Sequence, residues 1–223
     1  MHIPDGYLGP ITYGGLWAAV APVWYTAAKR VKTTLKAAQV PLLALSSAFS
    51  FVIMMFNVPI PGGTTGHATG ATLVAILLGP WSAVIAISIT IVVQAFIFGD
   101  GGITAIGANC FNMAFADVIM GYGIYKLIRG SSPTTSKRTV ISGAIGAYAG
   151  ITIGAFLTGV ELGIQPYLYK GPDGRPLYSP FPLSIAVPAM VIEYAVVFGI
   201  IEAVITALVL IYLQRSNPEL IRG

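Results

Sequence analysis

Charged residues are scarce in this sequence. Of its 223 residues, 9% are Asp, Glu, Lys or Arg, and 56% are hydrophobic. An average soluble domain carries about 25% charged residues, so this chain has too few charges to cover a surface that faces water. The composition therefore indicates that a lipid bilayer surrounds the protein. The net charge of +4 reflects the membrane topology described below and does not indicate a nucleic-acid partner.

Several chemical motifs are also absent. The single cysteine, Cys110, excludes a disulfide within the chain and a thiolate metal site, and its apolar surroundings predict simple packing. There is no GxxxxGK(S/T) phosphate loop, so uphill transport would need an external energy source. The HExxH and GxSxG motifs are missing, so we expect no enzyme. The start MHIPDGYLGP lacks the basic region of a signal peptide, so Met1 is expected to be the mature N-terminus.

Long apolar runs fill most of the chain. A helix that crosses a bilayer needs about 20 mostly apolar residues. The predicted segments are residues 11–28, 38–56, 68–78, 81–98, 104–125, 139–157 and 183–213. The third is short and, at about 1.5 Å per residue, reaches only part of the way across. The sequence therefore predicts an all-α, polytopic membrane helix bundle with about seven segments, forming a single integral membrane domain over residues 1–223.

Lys and Arg are unevenly distributed between the loops. If the N-terminus lies outside and the C-terminus inside, the outer loops carry only Lys170 and Arg175. The inner side then carries Lys29, Arg30, Lys32, Lys36, Lys126, Arg129, Lys137, Arg138, Arg215 and Arg222. Because Lys and Arg accumulate on the cytoplasmic side, this orientation in the cell membrane is favoured. It places His2, His67 and Asp100 together on the outer side.

The N-terminal segment, residues 1–10, is a candidate metal chelate. The Met1 amine and the His2 backbone nitrogen would close a five-membered ring on a metal ion. The His2 backbone nitrogen and the His2 imidazole would close a six-membered ring on the same ion. His67, at the end of the 57–67 loop, can supply a fourth nitrogen. Four coplanar nitrogens suit Ni²⁺ or Cu²⁺. The alternative is that His2 belongs to a frayed terminus and that His67 caps a helix or is held by ordinary hydrogen bonds.

Polar residues around the sequence QAFIFGDGGITAIGAN could support such a site. Gln94, Asp100 and Asn109 are candidates to accept the second N–H of a metal-bound imidazole. The alternative is that they only form hydrogen bonds between helices.

Three acidic residues lie within apolar segments. Asp117, Glu193 and Glu202 are costly in hydrocarbon unless they are paired or protonated. They could contact a partner subunit, relay protons, or lie near water.

The segments MHIPDGYL, PGGTTGHATG, QAFIFGDGGITAIGAN and EAVITALV resemble the CbiM/NikM family. Its members are the substrate-binding membrane subunits, or S components, of energy-coupling factor transporters for cobalt and nickel. The resemblance covers nearly the whole chain and is strongest to the second type of the nickel branch, NikM. It implies a square-planar site made by Met1, His2 and His67. Some cobalt-type relatives have a histidine in the last span, where this chain has Glu193 and Tyr194.

The resemblance also implies a larger machine. A transmembrane coupling subunit and two cytoplasmic ATPase subunits would supply the energy, often with a small accessory membrane protein. The implied function is capture of Ni²⁺ from outside for uptake, with Co²⁺ as the alternative substrate of an S component. A proton-coupled secondary metal transporter using Asp117, Glu193 and Glu202 is the alternative from a different class.

Overall fold

The computed structural model describes residues 1–221, which are predominantly helical. Arg222, counted above among the inner cations, lies outside the described residues. The α-helices are α1 Pro10–Thr34, α2 Val40–Met54, α3 Ala71–Leu78, α4 Pro80–Val93, α5 Ile106–Asn109, α6 Val118–Arg129, α7 Lys137–Gly163, α8 Gln165–Leu168, α9 Leu183–Glu193 and α10 Gly199–Ser216. Two short 3₁₀ helices, Ala37–Gln39 and Pro218–Leu220, and a hairpin of strands β1 Val58–Pro59 and β2 Thr65–Gly66 complete the structure.

Stretches of π-helix extend or join these helices. Gln94–Phe98 continues α4, Cys110–Asp117 joins α5 to α6, and Tyr194–Phe198 joins α9 to α10. A π-helical turn is wider than an α-helical one and is frequent at functional sites. Each stretch begins or ends on a fully buried polar side chain, namely Gln94, Asp117 or Tyr194.

The helix bundle has the dimensions of a membrane protein. Four helical stretches are long and apolar enough to cross a bilayer: Ala37–Met54, Pro80–Phe98, Lys137–Leu168 and Leu183–Ser216. The predicted third segment is different, because its helix α3 has only 8 residues. That is a length of about 12 Å, whereas the hydrocarbon core is about 30 Å thick. The structure therefore confirms a helical architecture with four stretches able to cross a bilayer, and α3 is too short to cross one.

Two helices extend beyond their predicted bounds. The fifth and sixth segments were predicted at 104–125 and 139–157, whereas the helices continue to Arg129 and to Gly163. Gly159 and Gly163 lie in the last part of α7, where a side chain would collide with α9. A Cβ would lie 2.9 Å from the Val187 Cα at Gly159 and 2.7 Å from the Leu183 Cα at Gly163. Small residues thus allow α7 and α9 to pack closely.

Helix α7 is central and packs against α3, α6, α9 and α10. Residues 1–9 enter the bundle without regular secondary structure, with Met1 and Ile3 fully buried and a turn at Asp5 and Gly6. The β1–β2 hairpin pairs Val58 with Gly66 and Pro59 with Thr65, so that His67 follows directly after it. The N-terminal segment and the hairpin meet inside the bundle, and the contacts between them form the candidate site.

Candidate metal centre

Side-chain hydrogen bonds hold the N-terminal segment in place. Asn109 contacts the backbone of Ile3 twice: its Oδ1 accepts from the Ile3 N–H at 2.9 Å, and its Nδ2 donates to the Ile3 carbonyl at 3.1 Å. Two residues further on, the Asp5 carboxylate accepts from the N–H groups of Ile103 at 3.0 Å and Thr104 at 2.9 Å. These contacts fix the backbone on the far side of His2.

The glycines after Asp100 allow the segment to approach closely. Gly101 has a φ of +87°, a conformation that other residues rarely adopt. A Cβ on Gly102 would lie 2.7 Å from the carbonyl carbon of Pro4 and 2.5 Å from Asp5 Oδ1. The turn must therefore be glycine-rich for residues 1–5 to occupy their position.

The amino group of Met1 contacts three groups of the core. Its nitrogen lies 2.6 Å from the Thr65 carbonyl oxygen, 2.7 Å from the Tyr194 hydroxyl and 2.7 Å from Nε2 of His67. Nδ1 of His67 lies 3.1 Å from the Ala68 carbonyl, which can only accept a hydrogen bond. The His67 proton is therefore assigned to Nδ1, and Nε2 presents its lone pair to the Met1 amine.

The His2 ring lies on the ring of His67. The two ring centroids are 4.6 Å apart, with an angle of 22° between the planes. His2 is 2% exposed, and neither of its ring nitrogens has a hydrogen-bond partner within residues 1–221. Nδ1 faces the carboxylate of Asp100 at 3.5 Å. Buried nitrogens without partners are costly, so a ligand that used them would remove an unfavourable feature.

Burial favours the neutral forms of these nitrogens by lowering their pKa values. Burial lowers the pKa of the Met1 amine well below its usual range, and the nearby Asp100 carboxylate opposes this shift. Burial, followed by the positive charge of that amine, lowers the pKa of His2 to about 3. The same two causes lower the pKa of His67 well below its ordinary value. A neutral nitrogen has a free lone pair, which is the form that binds a metal ion.

The spacing of the nitrogens fits planar coordination. Two neighbouring ligands of a square with metal–nitrogen bonds of about 2 Å are about 2.8 Å apart. The distance between the Met1 nitrogen and Nε2 of His67 is 2.7 Å. No group of three or more His, Cys, Asp or Glu side chains able to hold a metal occurs in the described part of the chain. A metal site here would thus depend on the terminal amine as well as on side chains.

The three predicted supporting residues occupy different places. Asp100 lies beside His2 and accepts from Asn57 Nδ2 at 3.0 Å. Gln94 is fully buried and lies close enough to His2 to oppose the lowering of the His2 pKa, without a hydrogen bond of ordinary geometry. Asn109 bonds the Ile3 backbone and no imidazole. The N–H acceptor of His67 is instead the Ala68 carbonyl, a neighbouring backbone group and none of these three side chains.

Other contacts at the site were not predicted. The fully buried Tyr194 hydroxyl contacts the Met1 amine, accepts from the His67 N–H at 3.2 Å, and donates to the Thr65 carbonyl at 3.1 Å. The Thr64 hydroxyl donates to the His2 carbonyl. A tyrosine within an apolar span signals that its hydroxyl needs a partner, but this signal does not reveal which partner it finds.

Residues 2–220 of the sequence match the family described as the cobalt uptake substrate-specific transmembrane region. The chain belongs to this CbiM/NikM family. Its members are metal transport proteins of the membrane and are not enzymes. The prediction of a non-enzymatic, multi-pass protein of the cell membrane is therefore confirmed.

Individual relatives match over almost the entire chain. The fused nickel transport protein NikMN of Rhodobacter capsulatus is 49% identical over 99% of this chain, which spans 64% of that protein's length. The cobalt transport protein CbiM of Acetohalobium arabaticum is 30% identical, and the match covers 99% of this chain and 86% of the relative. A crystal structure of a truncated transition metal transporter superimposes with a TM-score of 0.92 at 52% identity, covering 96% of this chain and 99% of that one.

Proposed function

We propose that this protein is the substrate-binding subunit of an ATP-driven energy-coupling factor transporter and that it captures Ni²⁺ from outside the cell. The observation that carries this proposal is the contact between the Met1 amine and Nε2 of His67 at 2.7 Å. The His2 ring is stacked on the same imidazole. An N-terminal amine does not reach a buried histidine by chance, because burying it has a large desolvation cost that must be offset.

The ligand set would consist of four nitrogens. Met1 would supply its amine, His2 its backbone nitrogen and imidazole, and His67 its Nε2. The flanking nitrogens of Met1 and Ile3 form hydrogen bonds, whereas the backbone nitrogen of His2 forms none with residues 1–221. An amide without a hydrogen-bond partner is free to lose its proton and bind a metal ion.

The proposed substrate is Ni²⁺ because planar four-nitrogen coordination suits Ni²⁺ better than Co²⁺. The family includes both nickel and cobalt transport proteins, so the choice requires a direct test. The purified protein should be equilibrated with equal concentrations of Ni²⁺ and Co²⁺, and the bound metal measured. We expect Ni²⁺ to predominate, and equal binding would contradict the nickel assignment. A Cu²⁺ arm is needed too, because Cu²⁺ binds nitrogen ligands more tightly than Ni²⁺.

We further propose that the chain has about seven membrane segments, with the N-terminus outside. The partial third segment is α3, and the hairpin before it brings His67 down to the buried Met1 amine. The observation that supports this orientation is the position of the cations at the ends of helices. Lys32 lies in the last turn of α1, Lys126 and Arg129 in that of α6, and Arg215 in that of α10.

Transport would require partners. We propose a transmembrane coupling subunit and two cytoplasmic ATPase subunits, with a small accessory membrane protein as a further component, since this chain lacks a phosphate-binding loop. Ni²⁺ uptake should be measured in vesicles that contain this protein alone or with those subunits. We expect accumulation only with the ATPases and ATP. Uptake by the chain alone, driven by a proton gradient, would instead indicate a secondary transporter.

A further inference from the structure

A buried carboxylate that does not touch the metal site holds the backbone that follows His67. Glu202, on α10, is 1% exposed. Its Oε2 accepts from the Thr69 N–H at 2.8 Å and its Oε1 from the Gly70 N–H at 2.7 Å. Gly70 caps the N-terminus of α3, where the helix dipole favours a negative charge. Glu202 thus fixes the chain two residues beyond His67.

A second buried carboxyl group reaches the same point. Asp117 Oδ2 lies 2.9 Å from the Thr69 hydroxyl oxygen, which also lies 3.3 Å from Glu202 Oε1 and accepts from the Ala71 N–H at 3.2 Å. A threonine hydroxyl has one proton to donate and can accept two hydrogen bonds. It can therefore donate to only one of the two carboxyl groups. The other one must donate to it and so must carry a proton.

The surroundings distinguish the two carboxyl groups. Both oxygens of Glu202 accept backbone N–H bonds, which favour the charged form of a carboxyl group. Oδ1 of Asp117 is buried without a hydrogen-bond partner among residues 1–221, which would be costly for a charged carboxylate. Two charged carboxylates this close together would also repel each other.

We propose that Asp117 carries the proton, that Glu202 carries the negative charge, and that the chain Asp117–Thr69–Glu202 is a positioning network that orients the His67 ring for metal binding. This inference rests on the proposed function, because it assigns the network a role at His67. The link is the peptide group between Ala68 and Thr69. Its N–H donates to Glu202 Oε2 at 2.8 Å, and its carbonyl accepts from His67 Nδ1 at 3.1 Å. A hydrogen bond of this kind sets the orientation of a metal-binding imidazole.

Two substitutions test the assignment, each replacing a carboxyl group by an amide of nearly the same size. Glu193→Gln is the control. Asp117→Asn keeps a donor toward Thr69, whereas Glu202→Gln replaces an acceptor oxygen with an NH₂ group that faces donors. For Glu202→Gln we expect Ni²⁺ affinity to fall by about 10- to 100-fold, the usual range for groups that orient metal ligands, and for Asp117→Asn by less than about threefold. Glu193, nine residues before Glu202, makes no hydrogen bond or ion pair with the described residues, so its variant should bind normally.

Thr69 provides a second test that does not alter either carboxyl group. Thr69→Val removes the hydroxyl and should weaken Ni²⁺ binding. Thr69→Ser keeps the hydroxyl, so its Ni²⁺ affinity and the absorption spectrum of its bound Ni²⁺ should match those of the wild type. A loss in Thr69→Val that Thr69→Ser did not rescue would overturn the proposal. This pair also decides the matter if Glu202→Gln fails to fold, as judged by size-exclusion chromatography and thermal melting.

Infrared spectroscopy of the metal-free protein tests the proton assignment independently of metal binding. The C=O stretch of a protonated carboxyl group should weaken relative to the wild type in Asp117→Asn and persist in Glu202→Gln. The opposite pattern, or equal losses of Ni²⁺ affinity in both variants, would overturn the proposal. If the wild type bound no Ni²⁺, the proposed function would fail instead, while the infrared pattern would still report where the proton lies.

Discussion

At the scale of single residues, Tyr194 connects the parts of the site. Its hydroxyl contacts the Met1 amine at 2.7 Å and accepts from the His67 N–H at 3.2 Å. We predict that Tyr194→Phe lowers Ni²⁺ affinity by about tenfold, because the amine loses a partner that orients it. Isothermal titration of the purified protein measures this effect. Tyr148→Phe is the matched control, since the Tyr148 hydroxyl donates to the Ala195 carbonyl at 3.0 Å. This substitution should leave the Ni²⁺ affinity unchanged. Equal affinities for wild type and Tyr194→Phe would refute the role.

Gly102 is a second position where adding a single Cβ atom should affect metal binding. Its missing Cβ leaves room for the backbone of Pro4 and Asp5, so Gly102→Ala should displace the N-terminal segment and weaken Ni²⁺ binding at least about tenfold. Gly14→Ala makes the same change where no atom lies within 4 Å of the new Cβ, and should bind normally. The account of the segment would be wrong if the two variants bound Ni²⁺ alike.

The sequence allowed part of the site to be predicted. Met1, His2 and His67 could be named because a histidine at position two offers a chelate geometry that no other position offers, and because the chain has only two histidines. The structure brings all three together, and their role as metal ligands stays a proposal. The Tyr194 contacts could not be predicted, because a hydroxyl in an apolar span is compatible with many partners across the bundle.

At the scale of structural elements, the N-terminal segment is held by the turn that follows the π-helix Gln94–Phe98. Asp5 bonds the N–H groups of Ile103 and Thr104. We predict that Asp5→Ala speeds hydrogen–deuterium exchange in residues 1–9 and at these two amides, measured by mass spectrometry. Asp173→Ala is the control, because Asp173 lies in the 169–182 loop, where its carboxylate accepts from the Arg175 N–H and forms an ion pair with the Arg175 guanidinium. Unchanged exchange in Asp5→Ala would show that the segment is held by other contacts.

The same contact should depend on pH. Partial burial raises the pKa of Asp5, but hydrogen bonds from Thr104 and Ile103 lower it by more, so its pKa lies below the ordinary value. A carboxyl group with a lowered pKa contributes stability above its unfolded pKa and loses it as pH falls through the folded pKa. Exchange in residues 1–9, corrected for its intrinsic pH dependence, should therefore rise on acidification in the wild type. The rise should be smaller in Asp5→Ala, and an equal rise in both would contradict this assignment.

Element boundaries were predictable where apolar residues alone decide them. The second segment matches α2 closely, and the fourth matches α4 together with its π-helical extension to Phe98. Helix α7 begins at Lys137, two residues before its predicted start, because Ser136 caps it within the polar linker by accepting from the Thr139 N–H. The β1–β2 hairpin was not predicted, since two-residue strands rich in Pro and Gly resemble an ordinary loop in the sequence.

At the scale of the whole molecule, the proposed orientation can be tested by labelling. Cys110 is fully buried, so the native chain should react little with a membrane-impermeant maleimide. With intact cells, we predict labelling of Arg175→Cys, which replaces a residue in the exposed loop before α9, and no labelling of Thr135→Cys, in the linker before α7. Both should be labelled once the membrane is opened. The reverse pattern would show that the N-terminus faces inward.

The most direct test of the account is Ni²⁺ binding with one alanine inserted after Met1. The insertion keeps every side chain but moves the imidazole to position three, which breaks the fused chelate rings and changes the distance between the amine and His67. Metal content and Ni²⁺ affinity should be compared with those of the native protein carrying a free N-terminus. We predict that the native protein retains Ni²⁺ and that the insertion variant loses it. Equal binding by both proteins, or binding by neither, would contradict the N-terminal chelate.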